Sequence, residues 1–234
     1  TVDVHQYQPS DITEPDFKEI RLEEVIFHYT DKLGKPLFSV GTINLTIKTG
    51  EILFIVGGNG SGKSTLLKLL IGLYYPAMGC IYVDEEEIDQ TNYQSYRELF
   101  SIIFTDYHLF DKLYGLPTVD DKKLKALLRL MELDKKTKYI DGKFTNINLS
   151  TGQKKRLGFI TAVLEDKPIY IFDELAADQD PTFRKNFYEV LLKDLRKQGK
   201  TIIAVTHDDK YFNTADRVLK MEYGKLVDYD EHFS

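Results

Sequence analysis

The run Gly57-Gly58-Asn59-Gly60-Ser61-Gly62-Lys63-Ser64 fits G-x-x-x-x-G-K-[ST] at every fixed position, and Thr65 follows it. Glycines in such a run admit positive φ and close backbone approach, so successive N–H groups converge on phosphate oxygens. Lys63 then reaches the β- and γ-phosphates, and the Ser64 hydroxyl is placed to coordinate Mg²⁺. A second chemical cluster lies downstream, where the apolar run Ile169-Tyr170-Ile171-Phe172 ends abruptly in Asp173 and Glu174. A third is Leu149-Ser150-Thr151-Gly152-Gln153; on local grounds its Ser150 and Gln153 make a capping box at the start of a helix.

These residues need a frame. Glu51–Val56 is a short apolar run stopping at Gly57, and Lys63–Leu73 is a leucine-dense stretch of helical length, so the first cluster sits on a strand–turn–helix unit. Pro168–Phe172 and Thr201–Thr206 read as further buried strands, and Thr182–Gln198 has helical periodicity with Gly199 as its stop. Ile20–Tyr29 and Thr42–Lys48 partly alternate, as half-buried strands do, and Val218–Asp228 reads as a hairpin turning near Gly224. Strands buried on both faces and alternating with helices predict an α/β fold with a largely parallel sheet. Ser150 and Gln153 open a helix with Leu157, Ile160, Val163 and Leu164 on one side.

Composition sets the outer bounds. The 234 residues carry 31 Lys+Arg against 37 Asp+Glu, with 42% hydrophobic residues, a soluble globular profile rather than a disordered one. The acidic balance argues against nucleic acid as the main partner. A lone cysteine, Cys80, excludes an internal disulfide. No apolar run approaches the roughly 20 residues of a membrane span, and Thr1–Glu19 lacks the apolar centre of a signal peptide.

Taken in order, the motifs resemble those of the ATP-binding cassette (ABC) ATPases. Leu149–Gln153 (L-S-T-G-Q) is similar to the LSGGQ signature with one departure, at Thr151. Ile169–Glu174 resembles the Walker B strand with its adjacent glutamate, Asp180 stands at the D-loop aspartate, and His207 at the switch histidine. Tyr29 stands where the family places an aromatic that stacks on adenine, although one of 15 tyrosines also invites a packing role. The resemblance implies a P-loop NTPase with an ABC-type core, a mostly parallel sheet plus an antiparallel β region, and a helical subdomain insert. The expected boundaries are a tail over 1–18, a core over 19–91 and 166–234, and a helical signature subdomain over 92–165.

It also implies roles. Asp173 would hold Mg²⁺ through water, Glu174 would be the general base, His207 would contact the γ-phosphate, and Ser150, Thr151, Gly152 and Gln153 would act in trans across a homodimer closed on two Mg-ATP. Two features depart from the family: Thr105 stands where a Mg²⁺-reaching glutamine is usual, and Leu175–Pro181 (L-A-A-D-Q-D-P) replaces the common D-loop sequence. Asp106, beside the missing glutamine, is a candidate substitute ligand. The segments F-T-D-Y-H-L-F-D, L-S-T-G-Q-K-K-R-L, D-E-L-A-A-D-Q-D-P and T-H-D-D are similar to those of bacterial exporters of cyclic peptides and peptide siderophores. That implies a membrane domain fused upstream, a place on the cytoplasmic face of the membrane, and no nucleic-acid partner. Competing expectations are a soluble ABC ATPase of DNA repair or translation, and a nucleotide sensor without hydrolysis. Only one P-loop is present, and the insert is too compact for a long coiled coil.

Overall fold

A computed structural model describes residues 17–116 and 118–229. Two strands open it, β1 (Glu19–Thr30) and β2 (Pro36–Lys48), paired antiparallel with Leu22 opposite Leu45 and Ile20 opposite Ile47. β3 (Ile52–Val56), entirely buried, leads through the glycine-rich loop into α1 (Lys63–Leu70). Then follow β4 (Met78–Val83), β5 (Glu86–Glu87), α2 (Tyr93–Arg97) and β6 (Phe100–Ile103). A helical region holds α3 (Asp121–Leu130), the small hairpin β7 (Tyr139–Ile140) and β8 (Lys143–Phe144), and α4 (Thr151–Glu165). The chain closes with β9 (Ile169–Asp173), α5 (Pro181–Asn186), a π-helical turn over Phe187–Leu191, α6 (Leu192–Lys197), β10 (Thr201–Val205), β11 (Arg217–Glu222) and β12 (Lys225–Asp228).

The main sheet runs β12-β11-β3-β10-β9-β6, parallel except for the edge strand β12. Its central strands are continuous apolar runs because both faces are covered. Alternation divides them: Leu53, Ile55, Ile169, Ile171, Ile203 and Val205 pack with the α1 leucines and the antiparallel sheet β2-β1-β4-β5, while Ile52, Phe54, Tyr170, Phe172, Ile202 and Ala204 pack with α3 to α6. The predicted α/β class and antiparallel region are both present.

Several boundaries move. Phe17, assigned to a tail, is buried in the core, and the exposed Lys18 beside it is tied down by its N–H, which donates to Asp84 Oδ1 at 2.8 Å. The rest of that predicted tail, 1–16, lies outside the described residues. The stretch 92–165 is not one helical insert, because β6 pairs with β9 and Tyr93 and Tyr96 pack into the α1 core. The helical part therefore begins after Ile103. Helix α4 is buried on more than the predicted side, since Phe159 and Ala162 are enclosed along with Leu157 and Ile160. The single helix expected over 182–198 is divided by the π-helical turn, which carries Tyr188. Its hydroxyl shares a hydrogen bond with Thr206 Oγ1 at 2.6 Å and donates to Asp208 Oδ2 at 3.0 Å.

The β11–β12 turn braces the glycine loop. Gly224 N–H donates to Ser61 O at 2.9 Å, and Gly41 N–H donates to Gly224 O at 2.8 Å. Gly224 has φ +80°, and a Cβ there would overlap the Ser39 carbonyl oxygen. Gly224→Ala is expected to lower stability by about 1–3 kcal/mol, the scale for backbone strain. Thermal unfolding reads this as a Tm loss of roughly 2–4 °C per kcal/mol in a chain this long.

Candidate active site

Register brings the motifs together. Val205 on β10 pairs with Ile55 on β3 and with Asp173 on β9, and Ile103 on β6 pairs with Phe172. The four neighbouring parallel strands thus end at one level, delivering the glycine loop, Glu174, His207 and Thr105 to the same edge. That edge, at the carboxyl ends of parallel strands, is where α/β sheets bind ligands.

There a cavity of about 510 Å³ is walled by Asn59–Thr65 of the loop, Phe38, Thr105, Asp173 and Glu174. The loop is shaped by Gly57, Gly60 and Gly62 at φ +141°, +75° and +109°. A Cβ on Gly57 would run into Met221 O, so no other residue fits there. Gly62 caps α1 without any side-chain hydrogen bond, which leaves the helix's first N–H groups and dipole end facing the cavity. The Lys63 ammonium is buried and donates to Gly57 O at 2.6 Å and Gly58 O at 3.1 Å. Ser61 Oγ is buried in the loop wall without a hydrogen-bond partner. Such convergent donors suit a polyphosphate.

Opposite the loop, Asp173 is 5% exposed. Burial raises its carboxyl pKa above the usual range, against weaker opposing hydrogen bonds from Thr105 and the charge of Lys63. Ser64 and Asp173 supply hard oxygen donors to one cavity, and no cluster of three or more His, Cys, Asp or Glu exists among the described residues. That set fits Mg²⁺, which is held by one or two protein oxygens plus substrate phosphates rather than by a protein cage. Glu174 takes a left-handed backbone at φ +53°, a conformation costing about 1–2 kcal/mol for a non-glycine residue. Its N–H is fixed to Val205 O at 3.1 Å, and its Oε1 lies 3.3 Å from His207 Nε2.

The other expected residues distribute unevenly. Asp106 sits in an exposed turn off the cavity wall; Thr105 occupies that place instead, its N–H 3.5 Å from Asp173 Oδ2 and its hydroxyl donating to Asp173 O at 3.2 Å. β6 ends at Ile103, and the turn that follows it directs Thr105 toward Asp173 while Asp106 is exposed. Tyr29 is packed against Phe27, Tyr74 and Phe38, with its hydroxyl 3.3 Å from Thr65 Oγ1; the aromatic residue on the cavity wall is Phe38. Ser150 caps α4 in the expected capping box with Gln153, yet Ser150, Thr151, Gly152 and Gln153 all lie away from the cavity. Asp180 caps α5, accepting from Thr182 N at 3.0 Å and Phe183 N at 2.9 Å.

The ABC transporter family profile matches residues 40–177, more than half of the chain. The chain belongs to this family. It is an ABC ATPase domain, as the order and convergence of its motifs imply. The cassette is 45% identical over 214 residues to "ATP-binding protein SyrD" of Pseudomonas syringae pv. syringae, covering 89% of this chain but only 38% of that protein. It is 36% identical over 199 residues to "Energy-coupling factor transporter ATP-binding protein EcfA1" of Mycoplasma genitalium, covering 79% of this chain and 70% of the relative. A dimeric, post-hydrolysis structure of the cassette MJ0796 with ADP and Pi superposes at a TM-score of 0.73 with 24% identity, over 88% of this chain and 96% of that one, a likeness of fold.

A network that sequence reasoning missed joins the signature helix to the D-loop. Arg156 on α4 donates to Gln179 Oε1 at 2.9 Å and Asp180 Oδ2 at 2.6 Å, pairs with Glu132 at 2.7 Å, and stacks over the Phe183 ring at 4.1 Å. Gln179 Nε2 in turn donates to Gly152 O at 2.9 Å. The available signal was the pair Lys155-Arg156 directly ahead of the buried Leu157, two cations where a helix enters the core.

Asp173 yields a test with a definite sign. Its folded pKa is raised, so the native state holds this proton more tightly than the unfolded chain does. Its contribution therefore favours folding at low pH and is lost as pH rises through the folded value. Asp173→Asn is expected to raise the Tm of the nucleotide-free cassette by ~2–4 °C at neutral pH. That gain should shrink as the pH falls toward 4.

Proposed function

We propose that this cassette binds Mg-ATP in the cavity under the glycine loop and hydrolyses it as one half of a homodimer that drives export across a membrane. The observation that carries the hydrolytic reading is the convergence of Lys63, Ser64, Asp173, Glu174 and His207 on one strand-end edge. The N–H groups of the loop and α1 would bind the phosphates, with Lys63 leaving its two carbonyl partners to join them. Ser64 and Asp173 would hold Mg²⁺, which supplies charge neutralisation on the phosphates when bound. Glu174 would take a proton from the attacking water, and His207, in contact with that carboxylate, would fix its direction. Phosphoryl transfer offers little to covalent catalysis, so a site of this kind works by position and positive potential. Tyr29 would bear on the adenine alongside Phe38.

The homodimer is supported by what the cavity lacks. The signature residues Ser150, Thr151, Gly152 and Gln153 are grouped at a helix start outside it, so a second cassette is needed to bring them to the γ-phosphate. Asp180 would lie at that junction, and the dimeric MJ0796 structure is a precedent in the same fold. No helix among the described residues is long and apolar enough to cross a membrane, so transport would need a membrane domain, fused upstream or separate, with the cassette at the cytoplasmic face. Peptide or siderophore cargo is supported by the four segments resembling such exporters.

Uptake is the second reading, favoured by a 31% identity to "Methionine import ATP-binding protein MetN" of Corynebacterium jeikeium over 88% of this chain and 60% of that protein. In inside-out vesicles bearing the whole transporter, external ATP should drive accumulation of an exported cargo and not of an imported one. For hydrolysis, Glu174→Gln is expected to slow turnover by about 10²–10⁴, the scale for losing a general base. ATP affinity should persist, and scattering should show an ATP-dependent dimer. Undiminished turnover in that variant would refute the role of Glu174.

A further inference from the structure

Lys155 is a buried cation that the catalytic reading does not use. Its side chain is 3% exposed on α4, five positions after the Ser150 cap, and it does not line the nucleotide cavity. The ammonium donates to the backbone carbonyl of Glu174 at 2.8 Å and pairs with Asp178 Oδ2 at 2.7 Å. One side chain therefore touches three segments of the site: the signature helix, the residue expected to act as base, and the D-loop. A buried ammonium left without partners is strongly unfavourable, so this contact set is maintained as a unit.

The contact falls where Glu174 most needs support. Its left-handed backbone is held on the N–H side by Val205 O, and on the carbonyl side by Lys155 at 2.8 Å together with the Ala177 N–H at 3.2 Å. Without Lys155 the carbonyl keeps only the longer Ala177 bond, so the peptide is held less tightly, and any rotation of it swings the carboxylate relative to His207. We propose that Lys155 is a positioning residue for ATP hydrolysis, clamping the Glu174 backbone to the signature helix so that a shift of α4 re-aims the carboxylate in the same chain. If Ser150–Gln153 engage a partner's nucleotide, this contact reports that engagement to the chain's own cavity, and the two sites of a dimer become coupled.

The inference rests on Glu174 being the base, so the experiment crosses the two residues. Lys155→Met and Asp178→Asn are each measured in the parent cassette and in Glu174→Gln, with Mg-ATP as substrate. In the parent background Lys155→Met is expected to lower kcat by ~10- to 100-fold, the scale for displaced supporting contacts, with KM for ATP little changed. In Glu174→Gln it should lower kcat no further, because a residue that acts through the carboxylate has nothing left to position. Lys155→Arg, which keeps charge and donors, should recover part of the loss. A parent-like kcat for Lys155→Met, or the same fold-loss in both backgrounds, overturns the proposal. Should Lys155→Met not fold, Asp178→Asn decides: its partner carboxylate is half exposed, and a kcat loss that disappears in Glu174→Gln supports the clamp while an unchanged kcat overturns it. If Glu174→Gln itself turns over like the parent, the base assignment fails and the clamp with it, an outcome distinct from failure of the clamp alone.

Discussion

The parallel register of β3, β10 and β9 is the constraint on which the remaining structure depends. With Val205 level with both Ile55 and Asp173, three segments far apart in the chain end within one hydrogen-bonded ladder. A one-residue slip would reverse the facing of every side chain on a strand. It would place Leu53 and Ile55 on the face built by Phe54, Tyr170 and Phe172, so the two cores enforce the register together. The site is thus held by some of the most apolar parts of the molecule, whose aliphatic and aromatic core residues do not line the cavity. The loop itself is braced from outside by the Gly224 turn, which explains why the antiparallel edge of the sheet bears on phosphate binding.

Polar groups at this edge are set against that apolar support. Asp173 is a carboxylate at the end of a buried strand, with Thr105 as its hydrogen-bonding neighbour and an ionised form disfavoured by burial. Glu174 holds a left-handed backbone that glycine would adopt more easily, yet glycine would bring no carboxylate. Lys63 is an ammonium enclosed among backbone carbonyls, and Lys155 is one held between a carbonyl and the Asp178 carboxylate. Each is unfavourable on folding grounds alone and is retained where chemistry requires charge out of water, where its electrostatic effect is larger.

What the sequence disclosed follows from how locally each feature is encoded. The glycine loop, the buried strands and the Ser150–Gln153 capping box are short-range patterns, and the structure contains them at the expected residues. Features made by long-range pairing were not legible. Phe100–Ile103 is too short and too near a helical stretch to declare itself a strand, and only its pairing with β9 makes it one. Asp106 is the candidate its charge suggests, but the turn after β6 puts Thr105 against Asp173, and no local pattern announces the path of that turn. The π-helical turn within the predicted helix over 182–198 has no composition of its own; its Tyr188 is bonded to Thr206 and Asp208, far along the chain.

The departures from the family pattern are intelligible as a connected set rather than as separate losses. Leu175–Pro181 carries Asp178 and Gln179 in place of the usual residues, and these are the side chains that receive Lys155 and Arg156 from the signature helix. Gln179 also returns a hydrogen bond to Gly152, whose own Cβ, if present, would press on Asp178 O at 2.7 Å. The D-loop and signature helix of this cassette are therefore joined by paired charges and amides. Directional bonds transmit displacement more faithfully than packing does, because each has a narrow range of length and angle. A cassette joined in this way moves its signature helix and D-loop as one piece, and the Glu174 carbonyl, bonded to the same lysine, is drawn along with them.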